Sequence, residues 1–361
     1  MQTEAVDACV AEGIRVLGPS HHAAELEDHK SLTKRLATKA GVPTPESWLV
    51  KTATEAKSIL RRNWTETDRF VVKTDALIAD AIHRAMVPET LEESEQDVDE
   101  ELAALLVAHR DEGLLIERRI DGFETSVHIL WDGSSYILLP PVRDYKRVGD
   151  GDTGPNTYGA ASIACGRGFS PELEQQLRKR IIEPTLEELQ RSGYDYHGFV
   201  YFGIMLLEDG PSLLEINVRP GNPEFVAILG LLRSGFCDLI EHATSGTLQK
   251  AKAEWHRKHY CGTVFAMANG YPQTMTPSPV PITGLEKAVL EGNTVVEDVA
   301  LDTSGSLVVS GGRVAAPFAL GPTIETVREE IHDTLAHIQF DGMHHRGDLG
   351  FGLDPRLFAD D

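Results

Sequence analysis

Residues 213–224 carry polar side chains at alternate positions of an otherwise apolar segment, which reads LLEINVRPGNPE. Because successive side chains of a β-strand point to opposite faces, Glu215, Asn217 and Arg219 are predicted to share one face. A carboxylate and an amide oxygen are ligands suited to Mg²⁺, and a neighbouring guanidinium can hold a carboxylate or a phosphate in a fork. The segment therefore predicts a magnesium and anion site, and an edge strand with one solvated face is the alternative.

A second polar segment, residues 144–157, follows the apolar run at 137–141 and reads DYKRVGDGDTGPNT. A long stretch without secondary structure inside a compact domain is usually functional or disordered. The adjacent Lys146 and Arg147 and the Gly-Pro-Asn-Thr end favour an ordered loop that binds an anion through backbone amides and hydroxyl groups. A salt-bridged surface loop is the alternative prediction.

The two segments together resemble the signature motifs of the phosphoribosylamine–glycine ligases, a family of the ATP-grasp superfamily. The matching motifs are KRVGDxDTGPNT at 146–157 and ExNxRxGxPE at 215–224. The resemblance extends towards the C-terminus, where GYP at 270–272, SGGRV at 310–314 and RGDLG at 346–350 also match the family. It implies an ATP-dependent ligase that joins a carboxylate to an amine as an amide, through an acyl phosphate.

The resemblance also implies roles for individual residues, with ATP and Mg²⁺ as cofactors and Mn²⁺ as an alternative ion. The catalytic residues would be Arg219 and Lys146, and Glu215 and Asn217 would hold the metal. The nucleotide would contact Lys30, Lys73, Glu117 and Glu124. The small-molecule substrates, a carboxylate such as an amino acid and an amine, would contact Asp152, Asn156, Thr157 and Glu224. Taken alone, Lys30 is typical of a solvated helix residue and Glu117 of an edge strand.

The segment that would cover the phosphates departs from the family. It reads KTDALIADAI at 73–82, where the family has KxDGLAxGKG. Ala76, Asp80 and Ile82 replace glycines, and Ala81 replaces a lysine. Because Asp80 would place negative charge near a polyphosphate, the loop is predicted to stand away from ATP, to use Arg84 instead, or to allow little or no turnover. A catalytically degenerate nucleotide- or metabolite-binding homologue, or a partner subunit, is therefore the alternative function.

Two further departures concern the substrates and the N-terminus. Tyr158-Gly159-Ala160-Ala161 replaces the family's GGMG, and Asn222 replaces an aspartate, which predicts an altered amine or amino-acid substrate. Only residues 1–20 correspond to the family's N-terminal α/β domain, with a helix predicted at 5–13 and a buried strand at 14–17. An uncovered strand edge invites pairing, so a homo-oligomer or a separately encoded partner is expected to cover it.

The elements that would position these residues follow from periodicity and turn residues. A linker helix is predicted at 22–40, and a helix at 171–193 is predicted to kink at Pro184. Together with the resemblance this predicts an α+β ATP-grasp fold at 21–245, with a small lobe at about 45–120, and a β-rich cap domain at 246–361. Other strands are predicted at 47–50, 70–73, 114–117, 125–130, 136–139, 199–207, 213–218, 264–268, 289–290, 295–299, 307–310 and 314–318. Other helices are predicted at 53–60, 91–109 and 324–338.

Composition excludes several other functions. The 34 Lys and Arg residues against 56 Asp and Glu residues give a net charge of −22, which repels nucleic acid and anionic membranes. The four cysteines show no paired spacing, so neither a zinc site nor a disulfide framework is predicted. With no leader or apolar span recognised, a cytoplasmic protein without nucleic-acid or membrane partners is expected.

Overall fold

A computed structural model describes residues 4–76, 85–107, 112–194, 196–274 and 278–359. The small lobe is a three-stranded antiparallel sheet in the order β1-β3-β2, with two helices packed against it. Its strands are β1 (Ser47–Val50), β2 (Phe70–Thr74) and β3 (Leu114–Arg118), and its helices are α4 (Ala53–Asn63) and α5 (Leu91–Val107). The prediction of strands and helices here is confirmed, except that residues 108–109 of the predicted helix lie outside the described residues.

Three helices precede the small lobe: α1 (Glu4–Ala11), α2 (His21–Asp28) and α3 (Lys30–Ala40). The prediction of one helix over 22–40 is wrong, because His29 is extended (φ −126°, ψ 103°) and separates α2 from α3. The chain after β2 occupies this break. Lys30 donates its backbone N–H to the Asp75 carbonyl at 3.0 Å, and Ser31 donates its own to Asp75 Oδ1 at 2.6 Å. Lys30 therefore begins a helix instead of lying inside one.

The predicted buried strand at 14–17 is not formed. Ile14 is 56% exposed, and the segment contacts the rest of the sheet region through the Gly18 N–H, which donates to the His197 carbonyl at 2.7 Å. A strand needs a neighbouring strand to satisfy its backbone groups, and none of the described strands pairs with residues 14–17. The expected strand edge is therefore absent from the described part of the chain, and the oligomer or partner stays a prediction.

The large sheet has ten strands, with the main path β11-β15-β10-β7-β6-β4-β8-β9, while β5 pairs with β4 and β12 with β15. The strands of the C-terminal part thus continue the sheet that begins at β4. The strands predicted at 199–207 and 213–218 are confirmed as β8 and β9, and they pair as an antiparallel hairpin. The strands are β4 (Phe123–Trp131), β5 (Tyr136–Leu138), β6 (Val142–Gly149), β7 (Thr153–Cys165), β8 (Gly198–Leu207), β9 (Gly210–Asn217), β10 (Tyr260–Val264), β11 (Ala266–Met267), β12 (Thr294–Val296) and β15 (Arg313–Gly321).

The prediction of an ordered loop without strands at 144–157 is wrong, because these residues form the β6–β7 hairpin with a turn at 150–152. The register shifts twice, between Tyr145 and Arg147 and between Arg147 and Gly149. Gly151 (φ 67°) and Asp152 (φ 54°) make the turn in the left-handed region. The glycines that suggested a loop therefore serve a tight turn and an irregular strand pair.

Helices cover both faces of the strands β4 and β8. On one face α2, α3 and the 171–191 helices bury Val127, Ile129 and Phe202; on the other, two short helices bury Leu130 and Phe199. The predicted kink near Pro184 takes the form of a π-helical turn, which suits a residue without an N–H. The helices are α6 (Pro171–Leu177), the π-helical Arg178–Ile182, α7 (Glu183–Arg191), α8 (Glu224–Gly230) and α9 (Phe236–Thr244).

The C-terminal part adds a two-stranded sheet of β13 (Val299–Leu301) and β14 (Leu307–Val309), and the closing helix α11 (Ile324–Leu335). The predicted strand at 289–290 is wrong. These residues end the helix α10 (Leu285–Leu290), whose buried positions Leu285 and Ala288 follow helical spacing while Leu290 is 86% exposed. The domain boundaries stay predictions. Within the described residues, no helix has the length and apolar character needed to cross a membrane.

Candidate active site

Strand β9 places the two predicted metal ligands on one face. Ile216 and Val218 are buried, whereas Glu215 and Asn217, at the alternate positions, are partly exposed. Asn217 Nδ2 lies 3.5 Å from Glu215 Oε1, at the limit of a hydrogen bond. Gly203 of β8 pairs with Glu215 of β9. A Cβ added at Gly203 would lie 2.8 Å from the Glu215 Cγ. A glycine at 203 therefore leaves room for the Glu215 carboxylate.

Lysine side chains from three elements surround this carboxylate. Burial would raise the pKa of Glu215, but the ammonium groups of Lys146, Lys73 and Lys30 lower it below its ordinary value. Lys30 Nζ is buried and has no hydrogen-bond partner among the described residues. Burial accordingly lowers the pKa of Lys30, with partial compensation from Glu215. The arrangement is a cluster of three lysines in an acidic chain, which suits a polyphosphate.

Glu117 is held between two lysines at the end of β3. Its Oε1 accepts from Lys73 Nζ at 2.8 Å, and its Oε2 forms an ion pair with Lys34 Nζ at 2.5 Å. Lys34 also donates to the Thr44 hydroxyl at 3.0 Å. Burial would raise the pKa of Glu117, but the two lysines lower it. Glu117 therefore stays ionised and fixes Lys73. The alternative that Glu117 lies on an edge strand is wrong, because β3 is the central strand of its sheet.

Arg219 lies just beyond β9 and is oriented by an acid from α2. Its Nε donates to Glu27 Oε1 at 2.8 Å, while Glu27 Oε2 accepts the Val218 N–H at 3.3 Å. The Glu27 side chain is buried, whereas that of Arg219 is 49% exposed. The guanidinium is thus fixed at Nε and also at Nη1, which donates to the Pro220 carbonyl at 3.1 Å, and its exposed part faces outward.

The loop after β9 is fixed by His128 of β4. The Gly221 N–H donates to His128 Nε2 at 3.0 Å, so this nitrogen carries no proton. Burial, with a contribution from Arg219, lowers the pKa of His128 to about 3. A neutral histidine therefore holds the loop that connects Arg219 to α8.

Two carboxyl groups lie on the opposite side of this loop. Glu224 is buried at the start of α8, and Asp144 Oδ1 is buried without a hydrogen-bond partner among the described residues. Burial raises the pKa of Glu224, and burial together with the nearby Glu224 carboxylate raises that of Asp144 well above its usual range. The pair therefore carries less negative charge than two separate carboxylates would.

The β6–β7 hairpin contributes Lys146 and its neighbours. Lys146 Nζ forms an ion pair with Glu124 of β4, and the Thr157 hydroxyl donates to the Lys146 carbonyl at 2.8 Å. Burial would lower the pKa of Lys146, but Glu124, Tyr201 and Glu215 raise it well above its usual range. Lys146 is therefore a permanent cation near Glu124, a predicted nucleotide contact, and Glu215, a predicted metal ligand.

The C-terminal part closes the side of the site near residues 158 and 222. Arg313 donates to the Tyr158 carbonyl at 2.6 Å and to the Asn222 carbonyl at 3.2 Å. The Asn222 side chain contacts Glu297. At Gly159 (φ 103°) a Cβ would lie 2.4 Å from Pro223, so only glycine lets β7 approach this loop so closely.

Comparison with known proteins identifies the family. The protein-family model for the phosphoribosylglycinamide synthetase ATP-grasp (A) domain matches residues 28–225. The family model for the C domain of the same synthetase matches residues 261–352. The chain belongs to the phosphoribosylglycinamide synthetase family. A phosphoribosylamine–glycine ligase of Ralstonia nicotianae is 33% identical over 346 residues, covering 96% of this chain and 80% of the relative. One of Rhizobium meliloti is 34% identical and covers 98% of this chain and 81% of the relative.

Solved structures of the synthetase family and of other ligases share the fold. The crystal structure of phosphoribosylamine–glycine ligase from Thermotoga maritima has a TM-score of 0.79 at 29% identity, covering 92% of this chain and 81% of that one. An L-amino acid ligase of Bacillus licheniformis has a TM-score of 0.58 at 14% identity, which shows likeness of fold alone. The predicted α+β ATP-grasp fold is confirmed, and the chain is an ATP-dependent ligase that forms C–N bonds.

Within this family fold, most of the residues singled out from the sequence come together. One group surrounds Glu215 and Glu117, and consists of Lys30, Lys73, Lys146, Glu124, Asn217 and Arg219. Thr157 and Glu224 lie beside it. Asn156 is exposed on β7. Asp152 is turned away and is bound to Arg143 and Arg346, each at 2.8 Å. The individual roles stay predictions.

Three residues of the candidate site were not predicted from the sequence: Glu27, Lys34 and His128. Glu27 and Lys34 each lie on the buried face of an amphipathic helix, where a charged residue needs a partner. That placement was the available signal. His128 lies within an apolar strand and gave no signal, since its partner Gly221 is 93 residues away.

The altered phosphate segment can be compared with the family only in part. Ala76 is buried and its backbone pairs with His29, whereas residues 77–82 and Arg84 lie outside the described residues. The three predicted consequences of Asp80 and Ala81 therefore stay predictions.

Proposed function

We propose that this chain ligates glycine to phosphoribosylamine at the expense of ATP. The observation that supports this most strongly is the 33% identity to a phosphoribosylamine–glycine ligase over 96% of this chain and 80% of the relative. The cluster of three lysines around Glu215 agrees with a reaction between a triphosphate and a carboxylate. The comparisons give no support to an altered substrate, so glycine and phosphoribosylamine are the substrates that we propose.

In the first step, a carboxylate oxygen of glycine attacks the γ-phosphorus of ATP, and the bond to the β–γ bridging oxygen breaks as ADP leaves with the electron pair. Lys30 and Lys73 neutralise phosphate oxygens, and the exposed part of the Arg219 guanidinium stabilises charge on the transferring phosphoryl group. The product is glycyl phosphate. Enclosure between the two lobes protects this acyl phosphate from water.

In the second step, the amine nitrogen of phosphoribosylamine attacks the acyl carbon, and the C–O bond to phosphate breaks. The nitrogen loses a proton to the departing phosphate, so the products are the amide and inorganic phosphate. Lys146 and Thr157 lie on the hairpin that faces this side of the pocket. We infer that they orient the amine-bearing substrate.

The metal ligands fit magnesium by their chemistry. Glu215 and Asn217 offer hard oxygen atoms, and within the described residues no group of three or more His, Cys, Asp or Glu residues could form a complete metal cage. Magnesium held by these two residues would supply positive charge to the phosphate oxygens, which complete its coordination.

The test is a measurement of ADP, phosphate and amide formation by the purified chain with Mg-ATP, glycine and phosphoribosylamine generated from ammonia and ribose 5-phosphate. We expect products only when both substrates are present. Glu215→Ala should reduce the rate about a hundredfold or more. The control Glu208→Ala, at the exposed turn of the same β8–β9 hairpin, should leave the rate unchanged.

Two results would overturn the proposal. Turnover with a different amino acid or amine from a panel, and none with glycine and phosphoribosylamine, would establish an altered substrate. Nucleotide binding without ADP release for any substrate pair would establish the catalytically degenerate alternative.

A further inference from the structure

Arg346 joins the C-terminal segment to the turn of the β6–β7 hairpin. It is fully buried (0% exposed). Its Nε and one terminal nitrogen donate to the two oxygens of Asp348, each at 2.8 Å. The other terminal nitrogen donates to Asp152 Oδ1 at 2.8 Å and to the Arg147 carbonyl at 3.0 Å. One guanidinium thus bridges two segments that lie almost 200 residues apart in sequence.

Backbone groups strengthen the same junction from both sides. The Gly347 N–H donates to Asp150 Oδ1 at 2.8 Å, and the Gly151 N–H donates to Asp348 Oδ2 at 2.7 Å. The guanidinium of Arg346 also lies over the Tyr145 ring, 4.7 Å from its centroid. We call this set of contacts between residues 145–152 and 346–348 the clasp.

Asp152 is held by two arginines, one of them Arg346. Its Oδ1 accepts from Arg346 and its Oδ2 accepts from Arg143, both at 2.8 Å. Arg143 in turn donates to the Gly352 carbonyl. Because both arginines are buried, turning Asp152 towards a substrate would weaken two charge-assisted hydrogen bonds.

The clasp also connects directly to residues that face the site. Arg346 holds the carbonyl of Arg147, which follows Lys146 in the chain. The Thr157 hydroxyl, from the other strand of the hairpin, binds the carbonyl of Lys146 itself. The β6–β7 pairing is irregular here, with register shifts on both sides of Arg147. A glycine-rich, irregular strand pair specifies its own register weakly, so contacts from the clasp can help to fix it.

We propose that Arg346 is a positioning residue for the amine-bearing substrate, because the clasp fixes the positions of Lys146 and Thr157. Asp152 then belongs to the clasp and not to the substrate site. The kinetic part of this inference rests on the proposed function. The structural part, that the clasp fixes the hairpin, does not. Arginine is required because its planar fork reaches two carboxylates and a carbonyl at once, which a lysine ammonium does not.

The experiment compares Arg346→Lys, Arg346→Met and Asp152→Asn with the control Arg356→Met. Arg356 is also paired with a neighbouring acid, Asp354, but it is 51% exposed and does not contact the hairpin. Asp152→Asn serves as a second variant if Arg346→Met does not fold, because asparagine tolerates the positive φ of this position, removes the charge and replaces one acceptor oxygen with an NH₂ donor. Hydrogen exchange and steady-state kinetics are measured for each.

We expect the Arg346 and Asp152 variants to raise the KM for phosphoribosylamine or lower kcat by about tenfold or more, since misplacing groups in a site is costly even from a distance. The KM for ATP should change less than about twofold, because its predicted ligands lie on other elements. Amide exchange at 146–157 should accelerate about tenfold relative to β8 and β9. Arg346→Lys should recover part of the loss, and Arg356→Met should match the wild type.

Unchanged exchange at 146–157 in folded Arg346 and Asp152 variants would overturn the clasp. Faster exchange with unchanged kinetics would overturn its positioning role, and an equal rise in the KM values for ATP and the amine would show a general structural role instead. If the wild-type chain forms no amide with any pair of substrates, the proposed function fails, and the exchange comparison alone still decides whether the clasp fixes the hairpin.

Discussion

Arg219 Nε donates to Glu27 Oε1 at 2.8 Å, across 192 residues of sequence. The buried carboxylate also accepts the backbone N–H of Val218, so it fixes both the side chain and the chain that carries it. Burial raises the pKa of Glu27, partly offset by Arg219. The guanidinium also donates from Nη1 to the Pro220 carbonyl at 3.1 Å, so it is held in one orientation while its side chain stays 49% exposed.

The first prediction concerns this ion pair. Glu27→Gln should lower kcat by about tenfold to a hundredfold, because Arg219 loses the charge that orients it, while the KM for ATP stays within about threefold. Glu25→Gln on the same helix α2 is the control, since its side chain is 45% exposed and lies away from Arg219. Steady-state kinetics of both variants decide the matter, and equal kcat values for them would refute the role of Glu27.

The second prediction concerns stability. Glu117→Gln leaves the ammonium groups of Lys34 and Lys73 facing a neutral amide in a buried site, and should lower the free energy of unfolding by about 3 kcal/mol. Asp99→Asn, which breaks the exposed pair with Lys57, should cost less than about 1 kcal/mol. Urea unfolding of both variants provides the comparison. Similar losses for the two would contradict the buried pairing.

The third prediction concerns pH. His128 has a pKa of about 3 when folded against 6.5 unfolded, so the unfolded chain binds more protons between these values and stability falls as pH falls. Between pH 7.5 and 5.5 this one group should cost about 1.4 kcal/mol of unfolding free energy. His128→Gln should lose that part of the pH dependence, whereas His337→Gln, at an exposed position, should keep it. Parallel pH profiles for wild type and His128→Gln would contradict a neutral His128.

The fourth prediction concerns the metal. Asn217→Ala removes one of the two oxygen ligands and should raise the Mg²⁺ concentration for half-maximal activity by about tenfold or more. The measurement is a magnesium titration at fixed free ATP, with Glu208→Ala as the control on the same hairpin. An unchanged midpoint would show that Asn217 is not a ligand.

Local patterns predicted much of the fold. The alternation along β9, the β8–β9 hairpin and the three small-lobe strands depend on neighbouring residues, and periodicity detects them. The break at His29 was missed because it depends on Asp75, which lies 44 residues after Ser31. The hairpin at 144–157 was missed because its turn is anchored by Arg346, and nothing near residue 150 indicates that contact.

In the candidate site, too, contacts between sequence neighbours were predicted and contacts between distant residues were not. Glu215 and Asn217 are neighbours on one strand, so their spacing predicted their meeting. Glu27, Lys34 and His128 act on residues 80 or more positions away, at Arg219, Glu117 and Gly221. Asp152 matched the family motif, yet its position in three dimensions binds it to two arginines. A motif match therefore located the site but did not distinguish residues that contact a ligand from residues that hold the site together.

The central claim is that the carboxylate of one substrate attacks ATP before the amine attacks the carboxyl carbon. Glycine labelled with ¹⁸O in its carboxyl group tests this directly, with the phosphate product analysed by mass spectrometry. The account predicts that each amide formed releases one phosphate carrying one ¹⁸O atom, and that Glu215→Ala suppresses amide and labelled phosphate together. Amide formation with unlabelled phosphate, or labelled glycine recovered intact while ATP is consumed, would contradict it.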